Sequence, residues 1–227
     1  MKTLWTLLIW TGMTLTMQAA DKTVEERVKE FGGVVKERLE PYFTAAKVPY
    51  PPASITFIGL KQEHVLQVYA AGRDGKYRFI RDYPILAASG NAGPKLCQGD
   101  CQVPEGFYKI DLLNPNSKFH LSMRVDYPNE SDREHAKLEG RARPLGGDIM
   151  IHGNAVSIGC LAMGDRAAED LFVLAALTGI KHIDVILTPM DFRTQEIPAA
   201  TPGNPDWLAP LYKKIKSGLE EYDLPSQ

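Results

Sequence analysis

The chain has 227 residues, 44% hydrophobic and 24% charged, with a formal net charge of −2. That length suits one sizeable domain or two small ones, and the composition is that of a globular protein with a real core. So balanced a charge gives nucleic acid no electrostatic claim as a partner, and none is expected.

Residues 1–20, MKTLWTLLIWTGMTLTMQAA, carry one early charge, Lys2, and then none until Asp21. The apolar stretch at 4–17 is too short and threonine-rich for a membrane span and reads as a secretory signal peptide, cleaved near Ala19 or Ala20. Met17 or Gln18 would sit at the −3 position, which fits the small-x-small rule poorly and keeps an uncleaved anchor as the alternative. Either way, the rest of the chain is expected outside the cytoplasm.

Val24, Val28, Phe31, Val35 and Leu39 then recur at helical spacing, predicting one amphipathic helix or two divided at Gly32-Gly33. Residues 21–50 thus read as a helical segment ending in the proline-rich joint PYPPAS. From Ile55 the pattern becomes that of strands: SITFIGL, HVLQVYAA, KYRFIRDYPI, GFYKIDLL and FHLSMRVDY, the last two divided by a turn at NPNS. DIMIH is one more strand. DRAAEDLFVLAALTG is a helix, apolar almost all round and so buried, capped by Asp165 and stopped by Gly179. HIDVILTP closes the strands, and PDWLAPLYKKIKSGLEEYD is a last helix. The expected architecture is one mainly β domain with helices (α+β) at 51–200, followed by a C-terminal helix and tail at 201–227.

An oxidising compartment turns spare thiols into disulfides. Of three cysteines, Cys97 and Cys101 lie close together in a glycine-containing turn and read as a bridge, with two separate thiols or a Cys-x-x-x-Cys metal half-site as alternatives. Cys160 is left over and becomes a candidate reactive thiol. In IHGNAVSIGCLAMGD, residues 151–165, it follows His152 by eight positions. A thiol attacks as thiolate, and histidine is suited to take its proton. Extended, that separation spans up to roughly 27 Å, so contact needs a reversal, for which Gly153-Asn154 and Gly159 supply the freedom. N–H groups around Gly159 and Cys160 are candidates for an oxyanion hole, and the helix start at Asp165 for a positive dipole end near the thiol. The alternative is a buried, inert cysteine. His64, His120, His135 and His182 show no ligand spacing with the pair, so no metal and no cofactor are expected.

The segment IMIHGNAVSIGCLAMGD resembles the active-site segment of the L,D-transpeptidase catalytic-domain (YkuD-like) family, in its YafK-like branch. YPILAASGNAGPKLCQGDCQVPEGFYKI, LNPNSKFHLSMRVDYPNESDRE and IDVILTPMDFR extend the resemblance over roughly 53–195. It implies a β-sandwich or barrel with a buried helix after the cysteine, and action on bacterial peptidoglycan outside the cytoplasmic membrane. Cys160 matches the family's nucleophile and His152, in the His152-Gly153 pair, its general base. Ser157 and Gly159 match the residues that shape the oxyanion site. The resemblance implies attack on the L-centre carbonyl of meso-diaminopimelate in a stem peptide, through a thioester.

The chain departs from the wider family pattern, with Ile158 in place of a second histidine and Ala162 in place of an arginine. Arg141 and Arg143 are then candidates to hold a stem carboxylate, against a plain solvated basic loop. Tyr108 and Trp207 are candidates to line a groove, against core packing; His120 reads as structural. Three functions follow: a periplasmic transpeptidase making cross-links or attaching a protein to the wall; a hydrolase releasing a terminal residue or a wall-attached lipoprotein, as a member of the YafK-like branch does; and an inactive wall-binding module.

Overall fold

The computed structural model describes residues 21–199 and 203–225. The expected signal peptide or anchor at 1–20 lies outside them. None of the described helices is long and apolar enough to cross a membrane.

Helix α1, Val24–Ala45, starts on a capping box in which Thr23 and Glu26 satisfy each other's backbone N–H groups. It runs unbroken through Gly32-Gly33, because Val35, Leu39 and Phe43 on the following turns are buried and their packing outweighs the weak helix propensity of glycine. Strands β1 (Ile55–Leu60), β2 (Val65–Ala71), β3 (Tyr77–Pro84) and β4 (Ala87–Ala88) follow, then β5 (Gly106–Ser117) and β6 (His120–Val125). Next come α2 (Glu130–Leu138), β7 (Met150–His152), β8 (Leu161–Ala162), α3 (Asp165–Thr178), a 3₁₀ turn, β9 (Ile183–Thr188) and α4 (Leu208–Leu219).

The strands form one nine-stranded sheet in the order β3-β2-β1-β9-β5-β6-β7-β8-β4. Among the described residues, only the β1–β9 and β7–β8 pairs are parallel. Every residue of β1 is buried, as a central strand covered on both faces requires. One face meets the main core, shared with α1 and α3. The other buries Ile58, Tyr69 and Ile186 beneath Leu208, Tyr212, Ile215 and Leu219 of α4. The sheet curls back on itself: the Leu161 side chain of β8 lies over Gly59 of β1, five places away in strand order. The architecture is the expected α+β one, with α3 buried along most of its length.

Three local expectations are corrected. NPNS is not a turn; β5 runs through it with an irregularity before Ser117, and the reversal falls at Lys118-Phe119, with His120 at φ 71°. The reason is tertiary. The Pro115 carbonyl accepts from Arg27, and Asn116 exchanges two hydrogen bonds with the Lys22 backbone, so the foot of α1 holds the segment extended. Helix α2 was not expected, although Asn129 and Asp132 form its capping box. Asp165 is the first residue of α3 rather than its cap. Gly164 holds the cap position, and the Asp165 carboxylate accepts the Asn154 N–H instead.

Candidate active site

Strands β7 and β8 lie side by side, Ile151 opposite Leu161 and His152 opposite Ala162. The loop between them performs the reversal that the His152–Cys160 spacing demands. Ile151 and Leu161 point into the core. Alternation along each strand therefore puts Met150, His152 and Cys160 on the other face. His152 and Cys160 are then diagonal neighbours, one strand across and two residues along, about 8 Å between Cα atoms by strand geometry.

The imidazole of His152 is held from two sides. Its Nδ1 is 2.6 Å from the Gly153 carbonyl, an acceptor only, so Nδ1 carries the proton and Nε2 keeps its lone pair. Phe119 lies over the ring at 4.7 Å between centroids. Burial lowers the imidazole's pKa below its ordinary value, opposed by the Gly153 bond, so the ring is a neutral base. Gly153 has no room for a side chain: a Cβ there would stand 2.7 Å from the Phe119 carbonyl oxygen and 2.6 Å from Asp165 Oδ1.

The Cys160 sulfur accepts the Met150 N–H at 3.4 Å and reaches the Asp148 carbonyl at 3.5 Å. Burial pushes the thiol's pKa up, the Met150 bond pulling the other way. No hydrogen bond joins it to His152 among the described residues. Its partners are these two backbone groups, not the start of α3. At rest the pair is a neutral thiol beside a neutral imidazole.

The expected oxyanion donors are already engaged. The Cys160 N–H donates to Ser157 Oγ at 2.9 Å, and that hydroxyl donates to the Cys160 carbonyl at 2.6 Å. The Gly159 N–H donates to Ser89 Oγ at 2.5 Å, and Ser89 donates on to the Cys101 carbonyl. Gly159, at φ 87°, turns the chain in the left-handed region just before Cys160. Val156 and Ile158 form an apolar rim, Ile158 being 80% exposed, whereas Ala162 is fully buried. An arginine at 162 has no space, so no cation stands there.

The remaining candidates lie elsewhere. Tyr108 is in the core, its hydroxyl bonded to the Glu105 carbonyl and Asp132, and it lines no groove at the thiol. Arg141 pairs with Glu139 and lies over the Trp207 ring, whose other neighbour is the stacked His135. Among the described residues, Arg143 hydrogen-bonds only the Gln98 carbonyl. His120 bonds Glu169 of α3.

The expected Cys97–Cys101 bridge is absent; both are free thiols. Asp100 shapes the loop instead, accepting the N–H groups of Leu96, Cys97 and Gln102 and the Lys95 ammonium. Cys101, at φ 57°, turns its sulfur toward the Gly99 carbonyl. No group of three or more His, Cys, Asp or Glu among the described residues could hold a metal ion.

Sequence reasoning missed Ser89, Phe119, Asp148 and Met150. Met150 and Asp148 act through the backbone and leave no side-chain signal. Ser89 and Phe119 come from distant segments that only the strand order brings near.

Residues 55–185 match the model of the YkuD family, described as the L,D-transpeptidase catalytic domain. The chain belongs to that family. A stretch of 114 residues is 37% identical to proteins of Escherichia coli K12 and O157:H7, each named "Putative L,D-transpeptidase YafK". It covers 49% of this chain and 43% of each relative, so the chain matches less than half of their length. Among solved structures, the helical cell shape determining protein Pgp2 from Campylobacter jejuni is similar at TM-score 0.48 and 24% identity, over 65% of this chain and 50% of that one. L,D-transpeptidase 1 of Mycobacterium tuberculosis is similar at TM-score 0.34 and 14% identity, over 59% and 61%.

Proposed function

We propose that this family member is a periplasmic peptidoglycan L,D-transpeptidase working through a thioester on Cys160. The observation that carries the reading is the tautomer of His152: its Nδ1–H is committed to the Gly153 carbonyl, which leaves Nε2 basic on the sheet face that carries the thiol. In the reaction, Nε2 takes the thiol proton as the sulfur attacks the L-centre carbonyl of meso-diaminopimelate in a stem peptide. The carbonyl electrons move onto oxygen, where the Gly159 and Cys160 N–H groups stabilise them once Ser89 and Ser157 give way. The tetrahedral centre collapses, the C–N bond breaks, and the imidazolium passes its proton to the leaving amine. A second amine then attacks the thioester and gives up a proton to His152 as its C–N bond forms. The C–S bond breaks, the imidazolium returns the proton to the departing sulfur, and the thiol is restored.

The leader-like residues 1–20 support a location outside the cytoplasm, where peptidoglycan lies. The test is incubation of the protein and its Cys160→Ala form with purified sacculi and isolated muropeptides, followed by mass analysis. New cross-linked or amine-exchanged species, absent with the variant, are expected. Shortened stems or released wall-bound peptide with no new bond would make the enzyme a hydrolase on the same nucleophile. Turnover retained by Cys160→Ala would overturn the assignment altogether.

A further inference from the structure

The ring over the His152 imidazole, Phe119, belongs to the turn between β5 and β6. His120, the next residue, stands at φ 71°, which a residue with a side chain keeps only where its surroundings hold it. Those surroundings are α1 and α3. Phe31 of α1 meets the His120 ring edge-on at 5.5 Å between centroids, and His120 Nε2 is 3.2 Å from Glu169 of α3. Glu169 also accepts from Arg38 of α1 at 3.0 Å. Just before the turn, Arg27 donates to the Pro115 carbonyl at 2.9 Å. Asn116 exchanges bonds of 2.9 and 2.7 Å with the Lys22 backbone.

The other side of the turn is pressed onto the candidate site. A Cβ on Gly153 would stand 2.7 Å from the Phe119 carbonyl oxygen and 3.0 Å from the His120 Cβ, and the Gly153 N–H donates to Leu121. One short segment, 119–121, thus covers the imidazole and packs against the residue whose carbonyl holds Nδ1. Phe119 is 40% exposed, so it is not a core residue. Residues 22–45, which clamp the turn, lie outside the stretch 55–185 that matches the family model.

We propose that residues 22–45 are a positioning element for the catalytic base: by clamping the β5–β6 turn they hold Phe119 over His152, which keeps the imidazole oriented and shielded from water. The inference rests on the thioester reading above. Phe119 acts through His152 and is a positioning residue. Around the imidazole, β6 carries His120 and Arg124, β8 Cys160, α3 Asp165 and Glu169, and the approach to β7 Asp148. Asp165 is engaged by the Asn154 N–H, Glu169 by Arg38 and His120, and Arg124 by Asp111. None of these groups hydrogen-bonds the imidazole among the described residues. Shielding from water is therefore what lowers its pKa, and loss of the shield should return it toward the ordinary histidine value.

The test is the pH profile of kcat/KM on a synthetic stem tetrapeptide containing meso-diaminopimelate. Phe119→Ala should lower the plateau by about 10–100-fold, the cost of a misplaced catalytic group. It should also move the acidic limb up toward about pH 6.5. Phe119→Tyr, which restores the ring, should keep both limb and plateau. The double variant Arg27→Ala/Asn116→Ala touches neither His152 nor Cys160 and leaves Arg38 and the buried face of α1 in place. It should move the limb the same way by a smaller step, with an unchanged circular dichroism spectrum. A limb unmoved in Phe119→Ala or in the double variant would overturn the proposal, because a turn that only stabilises the fold leaves the titration of His152 where it was. NMR titration of the His152 ring in a Cys160→Ala background reads the same shift without turnover. A shift on loss of Phe119 and of the clamp, with no product from the unaltered chain, would leave the positioning standing and the thioester reading fallen. Product from the unaltered chain with no such shift would do the reverse.

Discussion

The Met150 N–H and the Cys160 sulfur are 3.4 Å apart, which places the thiol against the edge of the strand that carries His152. Burial raises the thiol's pKa and the Asp148 carbonyl on the other side also favours the S–H; together they outweigh the donor, which favours the thiolate. The resting thiol is therefore protonated. Carboxamidomethylation of Cys160 by iodoacetamide should be slow at neutral pH and rise only above the ordinary thiol range. Peptide mapping against the exposed Cys101 would follow it. A reactivity plateau between about pH 5 and pH 7 would mean a preformed thiolate–imidazolium pair instead.

His152 is asked to act as base only during attack. His152→Ala should lower kcat/KM by roughly 10²–10⁴-fold, the usual contribution of general-base catalysis. The fold should survive, which circular dichroism would check. The pKa of the buried imidazole is lowered, so the base form persists on the acid side of about pH 6.5. The acidic limb of the kcat/KM profile should accordingly fall below that value. A limb at or above it would mean that another group, or a charged histidine, controls the reaction.

Gly153→Ala probes how the base is held. The added methyl would meet the Phe119 carbonyl oxygen and Asp165, and a backbone carbonyl cannot swing aside as a side-chain tip can. Overpacking of this kind costs about 1–3 kcal/mol. Denaturant unfolding should show that loss, and activity should fall further than stability alone explains, because relief of the clash moves the carbonyl that fixes the His152 tautomer. A variant of unchanged stability and rate would mean that the loop yields freely.

What was legible in the sequence follows from the range of the interactions concerned. The strands around Ile55, Val65 and Ile183 and the buried helix after Cys160 are written in local apolar patterning, and the structure has them where that patterning puts them. The NPNS segment reads locally as a turn, yet Arg27 and Lys22 from far up the chain hold it extended. The nearness of His152 and Cys160 was legible through their motif, and β7 pairing with β8 brings them onto adjacent strands. Their surroundings were not: Ser89 reaches Gly159 across 70 residues, and Asp148 contributes a carbonyl that every residue type possesses. Arg141 and Arg143 are near in sequence to the strand that carries His152, whereas Arg124, not read from the sequence, stands opposite Met150 because β6 pairs with β7.

Arg38 decides whether α1 belongs to the catalytic unit. Its Nε bonds Asp170 of α3 at 2.6 Å, and its NH2 bonds Glu169; Asp170, only 1% exposed, also accepts from the Tyr83 hydroxyl. Burial raises the Asp170 pKa and Arg38 lowers it, so the arginine keeps a buried carboxylate ionised. Removing one partner of a buried pair costs about 3–5 kcal/mol where the other is left uncompensated. Arg81, 3.9 Å from the other Asp170 oxygen, keeps part of the compensation, so Arg38→Ala should destabilise the whole protein by less than that amount. Asp170→Asn on top of it should recover part of the loss, because the buried carboxylate charge is gone, while Glu169 and Arg81 lose a partner nearer the surface. The sign with pH follows: without Arg38 the folded-state pKa of Asp170 climbs further above its unfolded value. The penalty is then absent where the carboxyl is protonated in both states, and it grows as pH rises toward the folded-state value. Urea unfolding of both variants at pH 5 and pH 8 would check this. A loss confined to α1, with the transition of the sheet unchanged, would show that the helix is an appendage rather than part of the domain.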